Sequence, residues 1–107
     1  MTDYEIAIVA HKGIAKIRGK RDGSIWRTPK INGNQMVHPT EKPVNLIKRL
    51  IEKFSDYDAV IVDCYLGSGT TAVAAAQLNR NFIGIEISRD YCDIAEQRLK
   101  NLQPSLL

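Results

Sequence analysis

The order of apolar and polar positions changes character twice along the chain. Ile6-Ala7-Ile8-Val9-Ala10 is a short run of mostly branched apolar residues closed by Lys12-Gly13, the pattern of a buried strand followed by a turn. From Ile14 to Met36 that regularity disappears. Gly19, Gly23, Pro29 and Gly33 interrupt the stretch, with Ile25, Trp26 and Ile31 as its anchors, so it reads as a long irregular loop with short strands near residues 15–18 and 24–27. Regularity returns at Pro43. Val44, Leu46, Ile47, Leu50, Ile51 and Phe54 recur at helical spacing, and a proline in the first helical turn sacrifices no hydrogen bond. Ala59-Val60-Ile61-Val62-Asp63 then reads as a fully apolar strand ending in a carboxylate, followed by Cys64-Tyr65-Leu66-Gly67-Ser68-Gly69-Thr70-Thr71 and an Ala-rich helix from about residue 70 to 79. Phe82-Ile83-Gly84-Ile85-Glu86 is a second such strand. Ser88 caps a last amphipathic helix whose apolar face carries Tyr91, Ile94, Ala95, Leu99 and Leu102. Strand, helix, strand, helix predicts an α/β fold with a parallel sheet and right-handed crossover helices.

Composition narrows the class. At 107 residues, 44% hydrophobic and 25% charged, the chain has the make-up of one small globular domain. No apolar run approaches the ~20 residues that span a bilayer, and the start Met-Thr-Asp-Tyr-Glu lacks a signal-peptide apolar stretch, so the expected location is cytoplasmic and no membrane partner is expected. Cys64 and Cys92 are too far apart for a metal knuckle and read as reduced thiols. The net charge of +3 conceals a division. Residues 11–53 carry eleven Lys or Arg against Asp22, Glu41 and Glu52, whereas residues 54–107 carry four against seven Asp or Glu. A basic front half suits a polyanion, although clustering alone reads equally as a solvated basic face.

Candidate chemistry lies at the strand ends, where open parallel sheets bind ligands. Asp63 ends one strand, and the loop Gly67-Ser68-Gly69 after it opens a helix whose amides suit an anion. Glu86 ends the next strand, 23 residues after Asp63, where an acidic residue accepts both hydroxyls of a ribose. The combination points to a nucleoside-type cofactor. A triphosphatase loop would need Gly-Lys-Ser or Gly-Lys-Thr, but Gly69 is followed by Thr70; a dinucleotide oxidoreductase would need Gly-x-Gly-x-x-Gly, which is also missing.

Three segments then match a family. His38-Pro39-Thr40-Glu41-Lys42-Pro43, the stretch from Asp63 to Thr71, and Phe82-Ile83-Gly84-Ile85-Glu86-Ile87 resemble the carboxyl-terminal half of amino-group DNA methyltransferases. These S-adenosylmethionine-dependent enzymes modify adenine N6 or cytosine N4. The resemblance extends over essentially the whole chain and implies a partial Rossmann-like methyltransferase fold in a single partial domain. Residues 1–13 would be a late strand, 14–37 a basic loop and candidate target-recognition region, and 38–107 the cofactor-binding part. Asp63 and Gly67, Ser68, Gly69 and Thr70 would hold the methionine part of the cofactor, Glu86 its ribose, and Ile87 its adenine, with Tyr65 adjoining the loop. The chemistry agrees, because an ammonium and a sulfonium suit Asp63, and a carboxylate suits backbone N–H groups and the hydroxyls of Ser68 and Thr70. Thr40 and Lys42 would border the carboxylate side, the alternative being a helix cap and a solvated lysine. His38 receives no catalytic role, and no metal site is expected. Lys16, Arg18, Lys20, Arg21, Arg27 and Lys30 are the candidate DNA phosphate contacts, with Lys12 beside them.

Two departures from the family pattern matter. Asp63-Cys64-Tyr65 stands where Asp-Pro-Phe is usual, so the loop loses a rigid proline and keeps an aromatic ring. The family's catalytic Asp-, Asn- or Ser-Pro-Pro-Tyr element holds the target amino group and stacks on the flipped base, yet the prolines here are Pro29, Pro39, Pro43 and Pro104, no two adjacent. No catalytic residue is therefore assigned. The chain alone is expected to be inactive, completed by a polypeptide carrying the missing half or by an identical copy. The alternative is a non-catalytic cofactor- or DNA-binding partner subunit that retains the fold.

Overall fold

A computed structural model describes residues 4–29 and 42–102. The expected alternation is present as α1 (Val44–Phe54), β1 (Val60–Asp63), α2 (Thr70–Gln77), β2 (Asn81–Gly84) and α3 (Arg89–Lys100). β1 and β2 pair in parallel, with Val60 opposite Asn81 and Asp63 opposite Gly84, joined by the crossover helix α2. Register partners in a parallel pair point to the same face. Ile61, Phe82 and Asp63 therefore face one side, which α1 and α2 cover: Ile51, Ala74 and Ala75 form the buried centre, with Val44, Ile47, Ile61, Leu78 and Phe82 packed against it. Ala72, Ala74 and Ala75 are wholly buried, and these small side chains let α2 settle closely onto its neighbours.

Local chemistry explains where the helices begin and end. Pro43 sits at the N-cap of α1 in extended conformation, one position before the helix proper. α2 stops at Gln77, short of the expected end near residue 79, because Asn79 takes a left-handed conformation (φ 59°) while the Leu78 and Arg80 amides close back onto the last turn. The Ser88 hydroxyl accepts the Tyr91 amide at 3.4 Å, the cap read from the sequence.

β1 and β2 carry apolar residues on both faces, and Val60, Val62, Ile83 and Ile85 on the face opposite the helices are each more than half exposed. Among the described residues no element lies across that face, and each strand pairs along one edge only. Two expectations need correction. The strand expected at residues 6–10 does not form. Ile6, Ile8 and Val9 are exposed, and the run pairs with neither open edge of the β1–β2 sheet. The short strands expected near residues 15–18 and 24–27 are likewise absent from the described chain.

Residues 4–29 instead cross the domain as irregular chain tied by polar groups. The Arg18 amide donates to the Lys53 carbonyl at 3.0 Å, and its guanidinium pairs with Asp56. Asp22 pairs with Lys53 at 2.8 Å and Arg49 at 3.0 Å. Trp26, the single tryptophan, is partly buried with the Arg49 guanidinium 4.1 Å over its ring, so it anchors the loop as a cation-π partner. Arg80, nearly buried, binds the last turns of α1 and α2 together through the Ser55 carbonyl and hydroxyl and the Leu78 carbonyl, and lies over Tyr57.

The Lys53 ammonium, hydrogen-bonded to Asp22, holds that carboxyl below the usual carboxylate range; partial desolvation opposes the shift and Arg49 reinforces it. A folded-state pKa below the unfolded value gives a tie that is complete above about pH 4 and is lost as the pH falls through the lowered value. Trp26 fluorescence should therefore hold constant from neutral pH to about 4 and shift red only below it. Asp22→Asn should show the red-shifted emission already at pH 7, with an unchanged α-helical circular dichroism signal.

Candidate functional site

The ends of β1 and β2 come together at the carboxyl edge of the sheet. Hydrogen bonding continues past both strands: the Ile85 amide donates to the Asp63 carbonyl and the Leu66 amide to the Ile85 carbonyl, each at 2.9 Å. The loop after β1 is thereby folded back over the end of β2. Leu66 lies directly over Gly84, where an added Cβ would fall 2.5 Å from its Cδ2.

Two carboxylates shape this edge. Asp63 Oδ1 accepts the Tyr65 amide at 2.9 Å and Oδ2 accepts the Thr71 hydroxyl at 2.6 Å, so one side chain closes the loop at both ends. Glu86 Oε1 accepts the Gly67 amide at 2.9 Å and Oε2 the Ser88 amide at 2.7 Å. Hydrogen bonds to a charged acceptor contribute about 1.5–3 kcal/mol each, roughly twice a neutral one. Both carboxylates are half-buried, and each oxygen retains lone-pair capacity beyond the bond it makes.

Residues 67–70 are buried as a unit between these groups. Gly69 is the N-cap of α2, with φ 94° and no side-chain cap, which leaves first-turn amides of α2 for an anionic group. Its left-handed backbone favours glycine, and an added Cβ would lie 2.7 Å from Ala95 Cβ of α3. Ser68 and Thr70 are buried beside it. Their oxygens accept from Arg98 of α3: Nη1 lies 3.0 Å from the Ser68 carbonyl, 3.1 Å from its hydroxyl and 3.3 Å from the Thr70 hydroxyl.

The residues singled out from the sequence fall into three groups. Asp63, Gly67, Ser68, Gly69, Thr70 and Glu86 converge on one site as described. Tyr65 and Ile87 adjoin it with their side chains almost fully exposed. Lys42 pairs with Glu5 at 2.8 Å. Thr40, like His38, lies outside the described residues.

Of the candidate phosphate contacts, Lys16, Arg21 and Arg27 are exposed and Lys30 lies outside the described residues. Arg18 is committed to Asp56, and the Lys20 carbonyl accepts from Lys53. Both belong to a cleft of about 770 Å³ at the opposite, amino end of the strands, lined also by Asp22, Arg49, Lys53 and Arg80. Three of that cleft's cations are paired, Arg18 with Asp56 and Arg49 and Lys53 with Asp22, whereas the carboxyl edge keeps two acceptor groups beside free amides. The carboxyl edge is therefore the candidate site.

Sequence reasoning missed two contributors. Thr71 was read only as part of the glycine loop, and Arg98 was not singled out. Arg98 stands three positions after Ala95 and four after Ile94, so it falls on the apolar stripe of α3, and a charge in such a stripe is the signal that would have found it.

The chain is similar to known proteins along most of its length. The profile of the N6/N4 family, described as DNA methylase, matches residues 4–97. The chain is 37% identical over 95 residues to the type II methyltransferase M2.MboI of Moraxella bovis, covering 85% of this chain and 35% of that protein. It is 44% identical over 86 residues to the orphan methyltransferase M.BamHII of Bacillus amyloliquefaciens, covering 73% of this chain and 32% of the relative. Among solved structures, the M1.HpyAVI–SAM complex superposes with a TM-score of 0.69 at 31% identity, over 85% of this chain and 46% of that one. The chain thus spans about a third of the length of the curated relatives it matches. With a profile match over most of its residues and a Rossmann-like partial fold, the chain belongs to the N6/N4 amino-group DNA methylase family.

Proposed function

We propose that this chain is the S-adenosylmethionine-binding and DNA-contacting portion of a methyltransferase acting on an exocyclic amino group of adenine or cytosine. The observation that carries the reading is the convergence of Asp63 and Glu86 on the buried loop 67–70 at the carboxyl edge of the sheet. The donor set fits that cofactor: loop and first-turn amides for a carboxylate, Asp63 for an ammonium, Glu86 for two vicinal hydroxyls, and exposed Ile87 for an apolar ring. When bound, S-adenosylmethionine supplies a methyl group made electrophilic by its sulfonium. Glu86 would accept the ribose hydroxyls on the lone pairs that the Gly67 and Ser88 amides leave open. Asp63, fixed by Thr71 and the Tyr65 amide, would orient the amino-acid end. Ser68 and Thr70 contribute backbone N–H groups, since their hydroxyls are buried on the Arg98 side of the loop.

In the same reading residues 14–37 form the target-facing basic loop and residues 38–107 the cofactor part. Lys16, Arg21 and Arg27, exposed and distributed along that loop, are suited to DNA phosphates, and Lys12 and Lys20 extend the row. The cytoplasm is the matching compartment. Among the described residues no helix is long and apolar enough to cross a membrane. The bare face bearing Val60, Val62, Ile83 and Ile85 supports the further reading that a polypeptide with the remaining strands, or a second copy, completes the enzyme. A second reading, a partner subunit that binds without catalysing, is favoured by one observation: no two prolines are adjacent, so the family's catalytic Pro-Pro-Tyr type element is missing from this sequence.

Calorimetry with S-adenosylhomocysteine tests the central assignment. Glu86→Ala should weaken binding by at least tenfold, since charge-assisted bonds of about 1.5–3 kcal/mol each are removed. Equal affinity of Glu86→Ala and the parent chain would sink it. For DNA, a duplex titration at several salt concentrations should give a log-log slope of about −0.9 per phosphate neutralised. Replacing Arg21 and Arg27 by Gln together should reduce that slope by about two such increments, and an unchanged slope rules these residues out. Finally, the purified chain should incorporate no labelled methyl into unmodified DNA, because nothing in it orients the attacking amino nitrogen or stacks the flipped base, a positioning contribution of several kcal/mol. Activity should appear on adding a polypeptide that carries the Pro-Pro-Tyr type element, and robust incorporation by the chain alone would require a different catalytic site.

A further inference from the structure

We infer that Arg98 is a positioning residue for the cofactor loop, acting from beneath it: it fixes Ser68 and Thr70 so that their backbone N–H groups, and not their hydroxyls, face the amino-acid end of the cofactor. The inference deepens the cofactor reading above and rests on it. Its basis is the way three successive residues are registered on one face of α3. Ala95 occupies the space beside Gly69, with an added Cβ at Gly69 falling 2.7 Å from the Ala95 Cβ and 3.0 Å from its Cα. Arg98, one turn further along the same helix face, takes the residues on either side of that glycine. A single guanidinium nitrogen lies 3.0 Å from the Ser68 carbonyl, 3.1 Å from the Ser68 hydroxyl and 3.3 Å from the Thr70 hydroxyl. Ser68 and Thr70 are 3% and 7% exposed. Their hydroxyls therefore lie under the loop, on the α3 side.

The loop has two opposed supports. Glu86 draws the Gly67 amide toward the end of β2, and Arg98 draws the Ser68 carbonyl toward α3, so the Leu66–Gly67 and Ser68–Gly69 peptide groups are each held in a fixed orientation. A guanidinium suits this task better than an ammonium, because its planar fork is already rigid and loses less freedom per bond formed. Lysine at this position would keep the charge and lose the geometry.

The experiment compares the parent chain with Arg98→Met and Arg98→Lys. Each is titrated by calorimetry with S-adenosylhomocysteine and, separately, with adenosine, which lacks the amino-acid end. Amide exchange across residues 67–71 is followed without added ligand. Arg98→Met should weaken S-adenosylhomocysteine about tenfold and leave adenosine within about twofold, with Arg98→Lys between the parent and Arg98→Met. Exchange at residues 67–71 should quicken in the same order. Equal S-adenosylhomocysteine affinities, equal losses for both ligands, or unchanged exchange would overturn the inference. Should Arg98→Met fail to fold, Arg98→Lys decides between the same outcomes. Failure of the parent chain to bind either ligand would overturn the cofactor reading instead, and the exchange order would then still accept or reject Arg98 as the support of the loop.

Discussion

The carboxylate of Glu86 joins three segments that otherwise share little: the end of β2, the loop that follows β1, and the cap of α3. Two parallel strands of four residues each are too short to define a site through their own ladder, and an isolated two-stranded pair is marginal in water. What fixes the loop is therefore a set of charge-assisted bonds from side chains at the strand ends, with Glu86 at their centre and Asp63 as the counterpart on β1. Both carboxylates are placed by register. Asp63 stands opposite Gly84, and Glu86 follows two residues later on the same, helix-covered face. A shift of one residue in the pairing would turn one of them to the bare face and leave the Gly67 amide without its acceptor.

Much of this was legible in the sequence where the signal is local. Helical spacing from Val44 to Phe54, the Ser88 cap and the two branched apolar runs each identify an element with little reference to the rest of the chain, and each appears within a few residues of its expected position. The convergence of Asp63 and Glu86 was legible for a similar reason, since a parallel alternation brings successive strand ends to one edge. The strand expected at residues 6–10 does not form: an apolar run supplies only half of a strand, the other half is pairing with a neighbouring edge, and this run pairs with neither β1 nor β2. Ser68 and Thr70 are a different case. Their residue types suit an anion, but which way a hydroxyl turns depends on what packs behind it, and Arg98 lies 28 residues or more away in the chain.

Polar ties also take over where apolar packing is thin. The segment from Arg18 to Trp26 buries little apolar surface, yet it is held on α1 by Asp22 between Lys53 and Arg49 and by the stacking of Arg49 on Trp26. The Asp22–Lys53 pair is largely shielded from water and the Asp22–Arg49 pair less so, and these ties hold the segment where apolar packing does not. Lys16, Arg21 and Arg27, within and on either side of this segment, keep their side chains exposed.

The contact between Gly69 and Ala95 carries an implication for how this sequence can drift. The two positions share a single volume, large enough for one methyl group and already filled by the Ala95 side chain. Enlarging residue 95 would press on the glycine peptide, and adding a side chain at 69 would collide with α3 while also straining a left-handed backbone. Neither site can change first without damage, and exchanging the occupants fails as well, because only position 95 has a conformation open to every residue type. The pair is thus an evolutionary dead end: substitution elsewhere on α3 meets a graded loss, but here the route is closed from both sides.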